Sequence, residues 1–385
     1  MAIYLDNAAT TAVDPRVLKT MQPYFNKNFG NASSLHAFGQ RARTAIEDSR
    51  KKIAMLINAE PEEIIFTSGG TESNNLAIKG LAWVRPNKKH VIISAIEHDA
   101  VLKPCEWLRK QGYEITVLPV DKHGMVDPKA VERAIRSDTL LVSIMHANNE
   151  IGTIQPIEKI GAICKAKGVY FHTDAAQTFG KIPVHVDALH VDLLSASSHK
   201  IHGPKGVGCL YVRKGVPLVP LLHGGGHEFG LRSGTENVAG IVGFGEAAKI
   251  AQKEMKADAK RLTALRDKLI KEVLKIPDSW LNGHPKQRLP GNANFGFRYI
   301  EGEALILQLD VHGIAVSTGS ACSSKSLEPS HVLLALGLKH EEAHGSLRVS
   351  LGKFNKRSDI DALLKVLPKT VERLRTISPF KRKIR

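Results

Sequence analysis

Cysteine is scarce in this chain of 385 residues: Cys105, Cys164, Cys209 and Cys322 are widely scattered and form no C-x-x-C pair. That distribution argues against a disulfide framework and a structural zinc site, and fits free thiols in a reducing compartment. Aromatic residues make up only 5%, too few for a platform that stacks single-stranded nucleic acid, so a nucleic-acid partner is disfavoured. No apolar run approaches the roughly 20 residues that a membrane-spanning helix needs. The start, Met1-Ala2-Ile3-Tyr4-Leu5-Asp6-Asn7, also lacks a basic segment followed by an apolar one. The expectation is a cytoplasmic protein with no membrane partner. Repeats and low-complexity tracts are absent as well.

Acidic residues are outnumbered, 38 Asp and Glu against 54 Lys and Arg, giving a formal charge of +16. The basic residues are spread along the chain, and the excess reads as a well-solvated basic surface. A hydrophobic content of 43% supplies a sizeable core, and a chain this long usually divides into about two domains. From about Ala45 to Ile241, short β-branched runs alternate with helical stretches. The runs are Glu63 to Thr67, His90 to Ser94, Ile115 to Pro119, Leu140 to Met145, Val169 to Thr173 and Val191 to Ala196. That rhythm predicts a mainly parallel sheet covered by helices, with ligands at the carboxyl ends of its strands. An amphipathic helix is predicted over Ala251 to Ile276 as a bridge to a second, α+β region. There the strands are Ala293 to Phe297, Ala315 to Ser317 and Ser346 to Ser350, and the helices Gly302 to His312 and Ser358 to Ser378.

The polar, glycine-rich segments fall at the predicted strand ends. Ser197-Ser198-His199-Lys200-Ile201-His202-Gly203-Pro204 places Lys200 after an apolar run and before a turn, where a desolvated amine can form an imine; the plain alternative is a surface lysine. Thr67-Ser68-Gly69-Gly70-Thr71 is a strand end, a glycine turn and a helix start, which suits an anion, or is a helix capped by Thr71. At His172-Thr173-Asp174-Ala175-Ala176-Gln177, Asp174 can pair with a protonated ring nitrogen and Gln177 can bond a phenolic oxygen, or Asp174 caps a helix. His98, in Ile96-Glu97-His98-Asp99, can stack on a ring and shuttle protons, or simply start a helix. Asn149 can bond a ligand or shape a turn. Arg348, in a strand-like run, can clamp a carboxylate with two hydrogen bonds or form an internal salt bridge. Cys105, Cys164 and Cys209 have apolar neighbours and read as buried hydrophobes. Cys322, in Ser317-Thr318-Gly319-Ser320-Ala321-Cys322-Ser323-Ser324, has only small polar ones, which predicts an accessible, reactive thiol.

In their order along the chain these segments resemble the cysteine desulfurases of the NifS/IscS type, class V aminotransferase-like enzymes of fold type I. The resemblance runs from Tyr4-Leu5-Asp6-Asn7-Ala8-Ala9-Thr10-Thr11 through Phe29-Gly30-Asn31 to Ser346-Leu347-Arg348. The context of Cys322, with Ser326-Leu327-Glu328-Pro329-Ser330, is similar to the IscS-like group. Gly70 stands where many relatives have alanine and Ala32 where proline is common; neither removes a functional group.

The resemblance implies an α/β fold with a mainly parallel seven-stranded sheet in a large domain, residues 13–255. A smaller α+β domain, residues 1–12 and 256–385, would carry the cysteine loop. It implies pyridoxal 5'-phosphate on Lys200, held by Gly70, Thr71, His98, Asn149, Asp174, Gln177, Ser197 and His199. Thr235 of the Arg-Ser-Gly-Thr motif would reach the phosphate in a neighbouring subunit, hence a homodimer. L-cysteine would be bound by Arg348, Asn149 and Asn31. Lys200, His98 and Cys322 would act on it, leaving a Cys322 persulfide for an iron-sulfur scaffold protein or another sulfur acceptor. Cys322 would also be a transient iron-sulfur ligand shared with the partner. A selenocysteine lyase, or another fold-type I enzyme acting on a small amino acid, is the alternative.

Overall fold

The computed structural model describes residues 2–318 and 328–378. The predicted alternation becomes a seven-stranded sheet. Its order is Ile64–Thr67, Gly208–Val212, Leu193–Ser197, Tyr170–Asp174, Thr139–Ser143, His90–Ser94, Glu114–Leu118. From Leu193–Ser197 to Glu114–Leu118 every pairing is parallel, whereas Gly208–Val212 runs antiparallel to both neighbours. The strands Ile64–Thr67, His90–Ser94, Thr139–Ser143, Leu193–Ser197 and Gly208–Val212 are buried along their whole length. Helices cover both faces of such a sheet, so these runs are buried throughout and do not alternate with exposed residues. Sequence reasoning named no strand at Gly208–Val212, the antiparallel return that follows the turn after Lys200.

The bridging helix runs from Val238 to Val273, starting well before the predicted Ala251. Its early part is buried on every side, including Ile241, Val242, Phe244, Ala247 and Ala248, so no polar face marks a period there. It packs against the helix Ala37–Ile57 so closely that a Cβ on Gly245 would lie 2.6 Å from Ser49 Cβ. Its later residues Leu269 and Val273 belong to a second core with Phe295, Phe297, Leu305 and Leu363. That core lies against an antiparallel sheet ordered Ser346–Ser350, Asn292–Phe297, Ser279–Asn282. The predicted strand at Ala315 to Ser317 is two shorter pieces. Ile314–Ala315 pairs in parallel with Ile3–Tyr4, and Ser317 makes an isolated bridge to Arg348.

The glycine-rich loop before the long helix is pinned from beneath. Arg50 donates to Glu228 through Nη1 at 2.7 Å and Nη2 at 2.9 Å, with its guanidinium between the rings of Phe66 and Phe229. Glu228 Oε2 also accepts from Phe66 N at 2.7 Å. Both partners are buried, and the backbone at Glu228 and Phe229 is left-handed, with φ of 49° and 56°. Such strain persists only where surrounding contacts impose it. Removing one member of a buried pair strands the other charge, so Arg50→Ala is expected to lower the unfolding free energy by about 3–5 kcal/mol. Urea titration reads this, and a loss within error of zero would show that the pair does not hold the loop.

Candidate active site

A cavity of about 500 Å3 opens at the carboxyl ends of the parallel strands, the crevice expected of such sheets. The strand Leu193–Ser197 ends in one tight turn, Ser198–Lys200. Gly203 closes it, since a Cβ there would lie 2.0 Å from Ser198 Oγ. Lys200 is thereby carried into the cavity, its Nζ donating to the carbonyls of Ala8 at 2.6 Å and Ala9 at 2.7 Å. His199 Nδ1 pairs with Thr10 Oγ1 at 3.0 Å. Burial, and then the positive charges of Lys200 and Lys205, push its pKa down to about 4, so it is neutral.

Asp174 ends the strand Tyr170–Asp174 and is buried. Its Oδ1 accepts from Ala176 N at 2.9 Å, and its Oδ2 accepts from Asn74 Nδ2 at 2.7 Å. Gln177 Nε2 donates to Ala8 O at 2.9 Å, the same carbonyl that holds Lys200. His98 starts a helix, the plainer of its two readings, and stands on the cavity wall. It caps the helix Asp99–Lys110, Nδ1 accepting from Ala100 N at 3.0 Å. With Nδ1 accepting, the neutral ring carries its hydrogen on Nε2. Arg348, only 2% exposed, lines the cavity and forms the internal ion pair, Nη2 to Asp6 Oδ1 at 2.8 Å. Its Nη1 donates to Asn149 O at 3.1 Å.

Gly70, Thr71 and Ser197 line the same cavity. Thr71 is not the cap weighed from the sequence: the cap position is Gly69, which offers no side chain, and Thr71 follows one residue into the helix. The first N–H groups of that helix therefore lack a capping side chain, as an anion cradle requires. Cβ atoms on Gly69 and Gly70 would meet Ser197 at 3.8 Å, on the same wall, and Gly69 has φ of 153°. Asn74 Oδ1 is buried with no hydrogen-bond partner. An amine, a buried carboxylate, a glycine cradle and an unmet buried acceptor together fit pyridoxal 5'-phosphate.

Not every residue expected at the site is there. Asn31 is exposed, its Oδ1 accepting from Ser33 N. It does not line this cavity. Thr235, expected at the phosphate of a neighbouring subunit, is exposed and lies off the cavity of its own chain. Cys322 lies outside the described residues. The described chain resumes at Glu328 and Pro329, both on the cavity wall. Cys105, Cys164 and Cys209 are buried, as expected.

Two buried carboxyls escaped sequence reasoning, although both stand beside residues it singled out. Glu97 Oε1 accepts from Ser94 Oγ at 2.5 Å and from Met145 N at 3.0 Å. Complete burial pushes its pKa up to about 8, so it holds a proton at neutral pH. Glu150 accepts from Ser330 Oγ at 2.5 Å, and burial pushes its pKa up as well. The available signal was a glutamate at the end of an apolar strand, next to His98 in one case and Asn149 in the other. Above the ordinary Glu value of 4.5 the unfolded chain has lost the Glu97 proton, which the folded protein keeps until about 8. Stability therefore falls as pH rises through that window. Glu97→Gln removes this contribution: relative to wild type, the variant gains stability between pH 5 and 8 in urea titrations. Parallel curves would rule the assignment out.

The chain matches the Aminotransferase class-V family over residues 3–363. It is 57% identical over 381 residues to the cysteine desulfurase IscS of Dictyoglomus turgidum, covering 98% of this chain and 97% of that one. It is 56% identical over 380 residues to the cysteine desulfurase IscS of Methanosarcina thermophila, covering 98% and 94%. A solved structure of a NifS-like protein superposes with a TM-score of 0.92 at 42% identity, covering 97% of this chain and 100% of that one. A structure of SspA in complex with cysteine gives 0.81 at 40% identity, covering 91% and 98%. With the same fold, a cavity suited to pyridoxal phosphate and this likeness along its length, the chain belongs to the class-V aminotransferase family and, within it, to the cysteine desulfurases.

Proposed function

We propose that this protein takes the sulfur from L-cysteine, leaving L-alanine and a persulfide on Cys322 that passes to an iron-sulfur scaffold or another thiol acceptor. The observation that carries the reading is convergence. Lys200, Asp174, His98 and Arg348 line one cavity whose wall includes Glu328 and Pro329, a few residues after Cys322 in the chain.

Pyridoxal 5'-phosphate, when bound, supplies a carbonyl that condenses with an amine and a protonated ring that draws electrons from the attached carbon. The Asp174 carboxylate would pair with the ring nitrogen and keep it protonated, while Gly70, Thr71 and Ser197 would hold the phosphate end. Arg348 binds the substrate carboxylate. Asp6 and the Asn149 carbonyl fix its guanidinium beforehand, so little rotamer freedom is lost on binding. The Lys200 amine would take the Cα proton, and His98, on the wall of the same cavity, would carry protons to and from the reacting atoms. The Cys322 thiolate attacks the substrate sulfur: an S–S bond forms as the C–S bond breaks, and the electron pair left on carbon is protonated on the way to alanine.

A homodimer with shared sites belongs to this reading. Thr235 is exposed and away from the cavity of its own chain, where it is open to a second copy. The cavity's own chain supplies most of the site, and we divide the protein into a cofactor domain, 13–255, and a smaller domain, 1–12 with 256–385. Among the described residues no helix is long and apolar enough to cross a membrane; cytoplasmic residence is part of the proposal.

Stoichiometric alanine release from L-cysteine by the cofactor-loaded protein tests the whole. Cys322→Ala is expected to bind cofactor and cysteine normally, by absorbance, and to release almost no alanine; undiminished release would remove Cys322 from the reaction. Arg348→Lys, which loses the planar two-pronged donor, is expected to raise KM for cysteine at least tenfold. An unchanged KM would move substrate binding elsewhere.

A further inference from the structure

Glu328, Pro329, His331 and Val332 make up one part of the cavity wall, and this stretch is docked firmly on the strand ends. Ser330 caps the helix His331–Ala335, its Oγ accepting from Leu333 N at 3.3 Å and donating to Glu150 Oε2 at 2.5 Å. Val332 and Leu333 pack with Ile96, Met145 and Ile151 in a small core of their own. His331 adds a bond across the same junction: its Nε2 lies 3.0 Å from the carbonyl oxygen of Glu97. A carbonyl can only accept, so Nε2 carries hydrogen and the neutral ring is left with a bare Nδ1. Among the described residues no group donates to that atom. His98, on the same cavity, is held in the opposite tautomer, its Nδ1 engaged by Ala100 N. Backbone groups thus set one neutral ring to donate and the other to accept.

We propose that His331 is a specificity-determining residue for the substrate: its bare Nδ1 accepts the hydrogen of the L-cysteine thiol and so orients the sulfur. The inference rests on the desulfurase reading for the identity of the substrate and for the side on which its sulfur lies.

With the carboxylate on Arg348 and the amine at Lys200, the side chain turns to the rest of the wall. Its sulfur is to be met by Cys322, and the chain returns to the wall from Cys322 at Glu328. Side-chain acceptors elsewhere on the wall are already engaged. Glu97 Oε1 takes Ser94 and Met145, Glu150 Oε2 takes Ser330, and Asp174 takes Asn74 and Ala176. A thiol has one hydrogen to donate, and a ring nitrogen fixed by its opposite edge is a directed acceptor for it. An amino acid of the same shape without that hydrogen leaves the acceptor unpaired, which is how a polar site rejects an apolar analogue.

The test uses the cofactor-loaded Cys322→Ala protein, in which cysteine is expected to bind without turnover, with binding read by absorbance. The comparison ligand is L-2-aminobutyrate, which has a methyl group where cysteine has S–H. His331→Gln keeps a donor for the Glu97 carbonyl and loses the ring acceptor. His331→Asn keeps an acceptor near the Nδ1 position and loses the donor to Glu97. In His331→Gln the dissociation constant for cysteine is expected to rise about fivefold, with that for aminobutyrate unchanged, whereas His331→Asn retains the preference for cysteine. Unchanged cysteine affinity in the glutamine variant, or equal weakening of both ligands, would overturn the proposal. So would a preference lost with asparagine and kept with glutamine, which would make His331 a tether alone. Failure of the desulfurase reading shows separately, with His331 intact: either no spectral response to cysteine or continued alanine release, and the inference falls with it.

Discussion

The segment Leu5–Thr11 is the joint on which the site depends. On one side it is bonded into the smaller sheet: Leu5 N donates to Ala315 O, Ser350 N donates to Leu5 O, and Ala8 N donates to Ser350 Oγ. On the other it is bonded to the turn that carries the reactive lysine: Thr11 N and Oγ1 donate to His199 O, and Lys200 donates to Ala8 and Ala9. Asp6, in the same stretch, holds Arg348. Lysine and arginine come from strands of different sheets, and this short run of backbone fixes the distance between them. That backbone carbonyls do the holding matters chemically. They hold the amine as neutral acceptors, adding no negative charge of their own to favour its protonated form.

Much of this was legible because strand ends in a parallel sheet announce themselves. A buried β-branched run followed by polar and glycine-rich residues can be read locally, and Lys200, Asp174, His98 and Asn149 all sit at such boundaries. What stayed hidden was mostly non-local. Nothing near Ala8 in the sequence indicates that its carbonyl meets Lys200, because hydrogen bonds to backbone leave no side-chain trace. Glu97 and Glu150 were overlooked for a related reason: a carboxyl is ordinarily a surface group, and only the packed structure shows these two enclosed. The early part of the long helix was hidden by its own success at burial, since a helix apolar on all sides has no period to detect. Asn31 carries a different lesson. Its motif was plain, yet it does not line the cavity, so motif recognition and spatial assembly are separate inferences.

The electrostatics of the crevice follow from what burial neutralises. Glu97 is protonated at neutral pH, and His146, His172 and His199 are pushed down to about 4 and are uncharged. Desolvation thus removes charge from both the acids and the histidines in and beneath the floor. Basic side chains on its wall include Arg348, Lys200 and Lys103. Asp6 offsets part of that charge and Asp174 is turned toward Asn74. A crevice so composed is short of negative charge, and ligands carrying a phosphate at one end and a carboxylate at the other restore it. Neutral Glu97 is then part of the selectivity, because an ionised carboxylate in that position would repel the anions that the glycine turn and Arg348 are placed to receive.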